Sequence, residues 1–586
     1  MNKSAIRKSF PFILTITVMY CALSITGCGS DDETYDYAYD EEAYSDDESY
    51  YDYDEDEYSE YDEDYASGDD DYVYLSDREL AEYFLDTVTG SSRTYSGYTA
   101  LAGEYDPDSY PKRFDLRDEG VVTPIKLQSP WGSCWAFGTI AASEISILSK
   151  MGTTYAETGL DLSERHLAYF ARSYINDGSA QDSEGIHLAE GALPFDGNFI
   201  YSATSLLSSG IGVVTEEICP YCASDGSLDE DADWSVSDDL KFVQSYELME
   251  TCLLPNTVLK DSDGNYEGTD TNALLEIKNQ LVLGRGVAVS YCPDPDNFNY
   301  YASAQYNPEV TGSNHSVCIV GWDDDFDRSN FYDEPEGDGA WIVKNSWGDD
   351  WGDEGYFYLS YYDRSVSDFT SFDYDVDSSD NDYYYVDQHD YLQSSNSHCW
   401  FSNELRGCAN IFTAEGDEIL KCISCETVMP NTYVQYSVYL LADDAAGPAD
   451  GTEIASGTEQ IKFPGYHRIY LDDSSAADLT IPEGSSYSIV VYQVSDTEEG
   501  TSYAINCDTG DNEVSRDAIL DAYGDDEGWV TDRWAVGVVN PGESYLYIAE
   551  ADRWLDWQAV IEVQQEREPE TDYDNFPIKG YAEPVE

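Results

Sequence analysis

The stretch Gln128-Ser129-Pro130-Trp131-Gly132-Ser133-Cys134-Trp135-Ala136-Phe137 runs from a turn into an apolar helix, with one cysteine at the junction. Ala136, Ile140, Ala141, Ile145 and Leu148 recur at helical spacing, which predicts a buried helix over Ser133–Ser149. A cysteine at such a start meets unpaired N–H groups and the positive end of the helix dipole, both of which favour the thiolate. Gln128, six residues earlier, can return across the turn and donate a hydrogen bond. The stretch therefore supplies two of the three needs of a thiol nucleophile, a lowered pKa and oxyanion donors, and lacks only a base.

A base is found downstream. In Gly312-Ser313-Asn314-His315-Ser316-Val317-Cys318-Ile319-Val320-Gly321-Trp322 a histidine enters an apolar run that ends in glycine. Lys344-Asn345-Ser346-Trp347-Gly348 follows the buried run Ala340–Val343 and offers an amide to orient that imidazole. Gly132-Ser133-Cys134-Trp135 resembles the nucleophile signature of the papain/cathepsin cysteine peptidases, and the spacing back to Gln128 matches it too. The Asn345 motif also resembles that family's. The resemblance implies an α+β, two-lobed, papain-like domain that hydrolyses peptide bonds through a thioester. In it Cys134 is nucleophile, His315 base, Asn345 its orienter, and Gln128 with the Cys134 N–H the oxyanion donors. Gly197 sits where the family pairs substrate with backbone, and Trp347 would cover the His315–Asn345 bond; these two are the candidate substrate contacts. Pro111–Arg117, Val122–Lys126, Leu162-Ser163-Glu164-Arg165 and Gly355-Tyr356-Phe357 extend the resemblance over the segment 111–378.

There are departures. Trp131 stands where many relatives have a disulfide cysteine. The interval from Cys134 to His315 exceeds the family's roughly 130–150 residues. Insertions are therefore expected, with Ala223–Val236 and Leu254–Thr269 as candidates, and a further acidic one over Asp323–Gly339.

Working outward, Lys3, Arg7 and Lys8 precede an apolar run from Phe10 to about Ile25, a targeting segment. Ile25-Thr26-Gly27-Cys28 resembles the lipobox of bacterial lipoproteins. That makes 1–27 a signal and Cys28 the lipidated residue, or leaves the chain secreted if Cys28 is not modified. Residues 28–72 are almost entirely Asp, Glu, Tyr and Ser, a composition that builds no core and reads as an extended spacer. With 119 acidic against 28 basic residues the net charge is −91, which excludes nucleic acid and confines membrane contact to a lipid anchor. Ser76 and Glu79 form a capping box opening a helix to about Thr89, within a short propeptide-like segment, 73–110. Outside the cytoplasm the 13 cysteines are free to form disulfides, whose connectivity the sequence does not define.

Beyond about residue 380 short alternating runs such as Tyr433–Leu441 and Ser486–Gln493 predict an all-β sandwich over 379–550. This region resembles the lectin-like domain attached to some bacterial papain-type peptidases. Its ligand would be a carbohydrate or a surface protein. Leu555–Gln565 reads as a last strand and the rest of 551–586 as a loose acidic tail. Two other motifs carry less. Cys219-Pro220-Tyr221-Cys222 has redox spacing, but it does not follow a strand and open a helix, and it resembles the family's Glu…Tyr-Pro-Tyr stretch. Asp261-Ser262-Asp263-Gly264-Asn265 lacks the glycine and glutamate of a calcium loop. No cofactor or metal is expected. The rival functions are a non-proteolytic surface-binding protein on a papain-like fold and a thiol-redox lipoprotein.

Overall fold

The computed structural model describes residues 75–585 apart from 93–97, 99, 101–104, 193–194, 196, 377–384, 393–395, 472–478, 498–499 and 524–531. The expected signal, Cys28 and the acidic spacer lie outside the described residues.

The helix opened by Cys134 is Cys134–Met151, and every side chain from Cys134 to Leu148 is buried. It ends at Gly152, whose left-handed φ of 64° glycine adopts without strain. Around it lie the helices Glu164–Phe170 and Ile200–Ser208, which form one lobe. The other lobe is a mostly antiparallel sheet. In it His315–Asp323 is flanked by Val287–Tyr291 and Ala340–Lys344, the latter in turn by Tyr356–Ser360. A Cβ on Gly138 would meet the Val317 carbonyl oxygen at 3.1 Å, so the long helix lies directly on the central strand there. One turn on, Ala142 and Cys318 both approach Gly286. Helix and strand thus advance in the same direction, and their starting residues, Cys134 and His315, lie at the same end.

The C-terminal part is two sheets with an apolar core between them. Ile423, Ile469 and Ile578 come from one sheet, and Val438, Ile489, Val491 and Ile505 from the other. The strands Thr432–Leu441 and Ser486–Thr497 include the two runs read from alternation. One sheet continues into the first domain through a bridge between His467 and Glu250. A second link pairs Arg533–Val536 with Gly185–Leu188.

Three expectations are corrected or relocated. Leu555–Gln565 is not a strand. The strand Arg553–Asp556 stops at Asp556, whose carboxylate accepts from Gln558 N and caps the helix Trp557–Arg567. Trp557, Val560, Ile561 and Gln564 recur on one helical face, and the core they enter decides between two readings that local pattern left open. The tail is not loose either. Ile578–Pro584 pairs with both Glu418–Thr427 and Tyr385–Asp387, burying Ile578, Tyr581 and Ala582. The helix Asp77–Thr87, with the expected capping box, belongs to the C-terminal domain: Leu80, Ala81 and Phe84 join its core, and the strand Thr89–Ser92 extends its sheet. None of the described cysteines is in a disulfide.

Candidate active site

The Cys134–Met151 helix begins after a tight turn in which Trp131 N donates to Gln128 O. Two bonds to the Asn345 loop fix Gln128. Its N–H donates to Ser346 O at 2.8 Å, and its Oε1 accepts from Ser346 Oγ at 2.8 Å. One amide proton of Gln128 is used on Trp131 O at 3.1 Å, which leaves the other for a ligand. Trp131 itself packs on Phe195 and Trp234, with ring centroids 5.3 and 5.5 Å away. An aromatic cluster holds the turn where relatives use a disulfide.

His315 Nε2 lies 2.8 Å from Asn345 Oδ1. That oxygen also accepts from Ser346 N at 2.8 Å, which fixes the orientation of the amide. Since Asn345 Oδ1 only accepts, Nε2 carries the proton and Nδ1 presents a lone pair. Nδ1 has no hydrogen-bond partner. Trp347 stacks on the imidazole at 4.5 Å and 26°, shielding the bond from water. Burial pulls the imidazole pKa down to about 4, against the opposing effect of Asn345. An isolated imidazolium is costly here, so a charged His315 requires an anion beside it.

Gly197 is exposed, and its carbonyl accepts a bond from the Arg172 guanidinium. The calcium-like stretch is a turn: Asp261 Oδ1 accepts from Asp263 N and Asn265 N, in the hairpin joining Val258–Lys260 to Tyr266–Thr269. Among the described residues no three His, Cys, Asp or Glu side chains are grouped to hold a metal.

Sequence reasoning missed two supporting groups. Tyr221 was absorbed in the Cys219–Cys222 spacing, yet its hydroxyl lies 2.6 Å from Gln128 O and 2.7 Å from Ser133 Oγ. Behind the site Lys126 Nζ binds Glu144 (3.1 Å), Asp161 (2.7 Å) and Glu164 (2.8 Å), while Lys344 Nζ reaches Thr123 Oγ1 (2.7 Å), which in turn bonds Glu144. The flanks Val122–Lys126 and Leu162–Arg165 contained Thr123, Lys126 and Glu164, but spacing alone does not reveal that these converge with Glu144, Asp161 and Lys344.

Residues 110–371 match the family model of papain family cysteine proteases, and 384–582 that of the lectin-like domain. This chain joins a papain-family domain to a lectin-like domain. The papain-family domain is 30% identical over 262 residues to vignain of Vigna mungo, covering 44% of this chain and 56% of that protein. It is 27% identical over 279 residues to thiol protease aleurain of Arabidopsis thaliana, covering 47% and 62%. The chain thus spans less than two thirds of the length of these curated relatives. The two-domain arrangement is similar to the cysteine protease and lectin-like domains of Cwp84, a surface layer associated protein of Clostridium difficile. That likeness has a TM-score of 0.59 at 20% identity, over 83% of this chain and 90% of that one.

Proposed function

We propose that the chain is a papain-type cysteine peptidase working outside a bacterial cell, held at the surface by a lipid on Cys28. The observation that carries the reading is the His315–Asn345 bond. It leaves the His315 Nδ1 lone pair unbonded at the end of the sheet where the helix bearing Cys134 begins. In this reading His315 takes the Cys134 proton, and the thiolate attacks a peptide carbonyl. The oxyanion is met by the Cys134 N–H and the remaining Gln128 amide proton. His315 then protonates the leaving amine, and water hydrolyses the thioester with His315 again as base. Gly197 and Trp347 border the substrate, and the lectin-like domain holds a carbohydrate or surface protein near the cleft.

The test is covalent labelling of the purified chain with a peptidyl epoxide, with hydrolysis of a fluorogenic peptide in parallel. Label mapping to Cys134, with rates falling at least ~10³-fold in Cys134→Ala and His315→Ala, is the expected result. A wild-type chain that neither labels nor hydrolyses any of a broad set of peptides would overturn the reading and favour a surface-binding role.

A further inference from the structure

We propose that Tyr221 is a positioning residue that holds the Gln128 turn and the start of the Cys134 helix together. This deepens the peptidase reading and rests on it.

Ser133, the residue before the helix, has φ −91° and ψ 21°, outside the extended backbone from which a serine caps a first turn. It is fully buried, and its hydroxyl needs another partner. That partner is Tyr221 Oη, at 2.7 Å. Proton counting gives the direction of both bonds. Gln128 O can only accept, so the single Tyr221 proton goes to it, at 2.6 Å, and Ser133 is the donor to Tyr221. One phenol oxygen therefore ties together the residue just before Cys134 and the residue that supplies the side-chain oxyanion donor.

The ring is held as firmly as its hydroxyl. It packs edge-on against Phe137 at 4.9 Å and Trp234 at 5.6 Å. Tyr221 N donates to Glu216 Oε1 at 2.5 Å. With the hydroxyl removed, Gln128 O loses a donor and the buried Ser133 Oγ loses its acceptor, so the turn that carries the side-chain oxyanion donor is no longer tied to the helix start.

The experiment compares wild type with Tyr221→Phe, Ser133→Ala and the double variant. It measures kcat and KM on a peptide substrate. Tyr221→Phe is expected to lower kcat by about 10-fold with KM within twofold, because the loss falls on the oxyanion donor and not on substrate binding. The double variant is expected to fall no further than Tyr221→Phe, since both bonds pass through the phenol oxygen. Fluorotyrosine at position 221 keeps the hydroxyl and is expected to retain kcat within about twofold. A Tyr221→Phe enzyme with wild-type kcat would overturn the assignment, as would a double variant whose losses simply add or a fluorotyrosine enzyme as slow as Tyr221→Phe. If Tyr221→Phe does not fold, Ser133→Ala carries the test: it removes one of the two bonds, is expected to lower kcat by about 3-fold at unchanged KM, and an unmoved kcat there overturns the assignment equally. A wild type that resists labelling indicts the peptidase reading instead, so the two failures are distinct.

Discussion

Two buried groups of carboxylates, one behind the candidate site and one at the joint with the lectin-like domain, are neutralised in different ways. Behind the active site Glu144 and Glu164 share Lys126, with Lys344 reaching the same cluster through Thr123. Burial alone would raise the Glu144 pKa, yet Lys126 and Lys344 more than offset it and the group is held below its ordinary value. At the joint with the lectin-like domain Glu184, Asp390, Asp508 and Asp574 face one another, and of these four Lys579 binds only Asp390, at 2.6 Å, with a further bond to Gln388 Oε1 at 2.8 Å. Burial, then neighbouring carboxylates, push Glu184 and Asp508 well up, and Asp574 to about 7. Tyr201 bridges Glu426 and Asp508 with a single hydroxyl proton, so one of its two partners must bring its own. In the first cluster lysine holds Glu144 ionised, although burial still raises Glu164 to about 7, while the second relies mainly on bound protons. The first should therefore fail when a lysine is removed, and the second when pH rises.

The largest effect should come from Lys126→Met. It leaves Glu144, on the helix that begins with Cys134, and Glu164 buried without their shared cation. Removing one partner of a buried pair costs about 3–5 kcal/mol, and urea denaturation at pH 7 measures it. A loss below about 1 kcal/mol would mean that these carboxylates take up protons as the joint's do, which erases the contrast. Lys579→Met should cost less, about 1–3 kcal/mol at pH 8 and less again at pH 5, because carboxyls already inclined to bind protons can replace the lost cation. Equal losses at the two pH values would show that Lys579 acts through packing alone.

The two regions also differ in how much of them the sequence disclosed. The helix that begins at Cys134 was legible from its periodicity, and the His315–Asn345 contact from the two motifs that frame it. Their second layer was not, since Lys126, Glu144 and Tyr221 meet only after the chain has folded. In the lectin-like part alternation gave the strands Thr432–Leu441 and Ser486–Thr497. It failed at Trp557–Arg567, where a short apolar run fits helix and strand alike, and at Ile578–Pro584, where acidic and proline-bearing flanks concealed a central strand. The capping box at Ser76 was read correctly from four residues. What it could not show was that the helix would complete a core formed more than 300 residues later.

The smallest effect tests the joint most directly. Glu184 accepts from Tyr391 N at 2.8 Å with Oε1, and its other oxygen faces Asp574, an arrangement that needs a shared proton. A carboxyl whose folded pKa is raised contributes stability that is fully present below its unfolded pKa near 4 and is lost as pH rises through the folded value. For Asp574, moved from 3.8 to about 7, that window runs from pH 4 to about 7. The wild-type chain should accordingly lose stability between pH 5 and 8, counter to the acid side, where buried His166 and His315, both near 4, destabilise it as pH falls from 6.5. Glu184→Gln supplies the bridging proton permanently: its oxygen keeps the bond from Tyr391 N and its amide donates to Asp574. It should leave stability at pH 5 unchanged within about 0.5 kcal/mol and add about 1–2 kcal/mol at pH 8, read as a flatter pH profile of the urea midpoint. A variant as pH-dependent as wild type would place the missing proton elsewhere in the cluster, on Asp508 or Asp390, and Asp508→Asn would then carry the flattening.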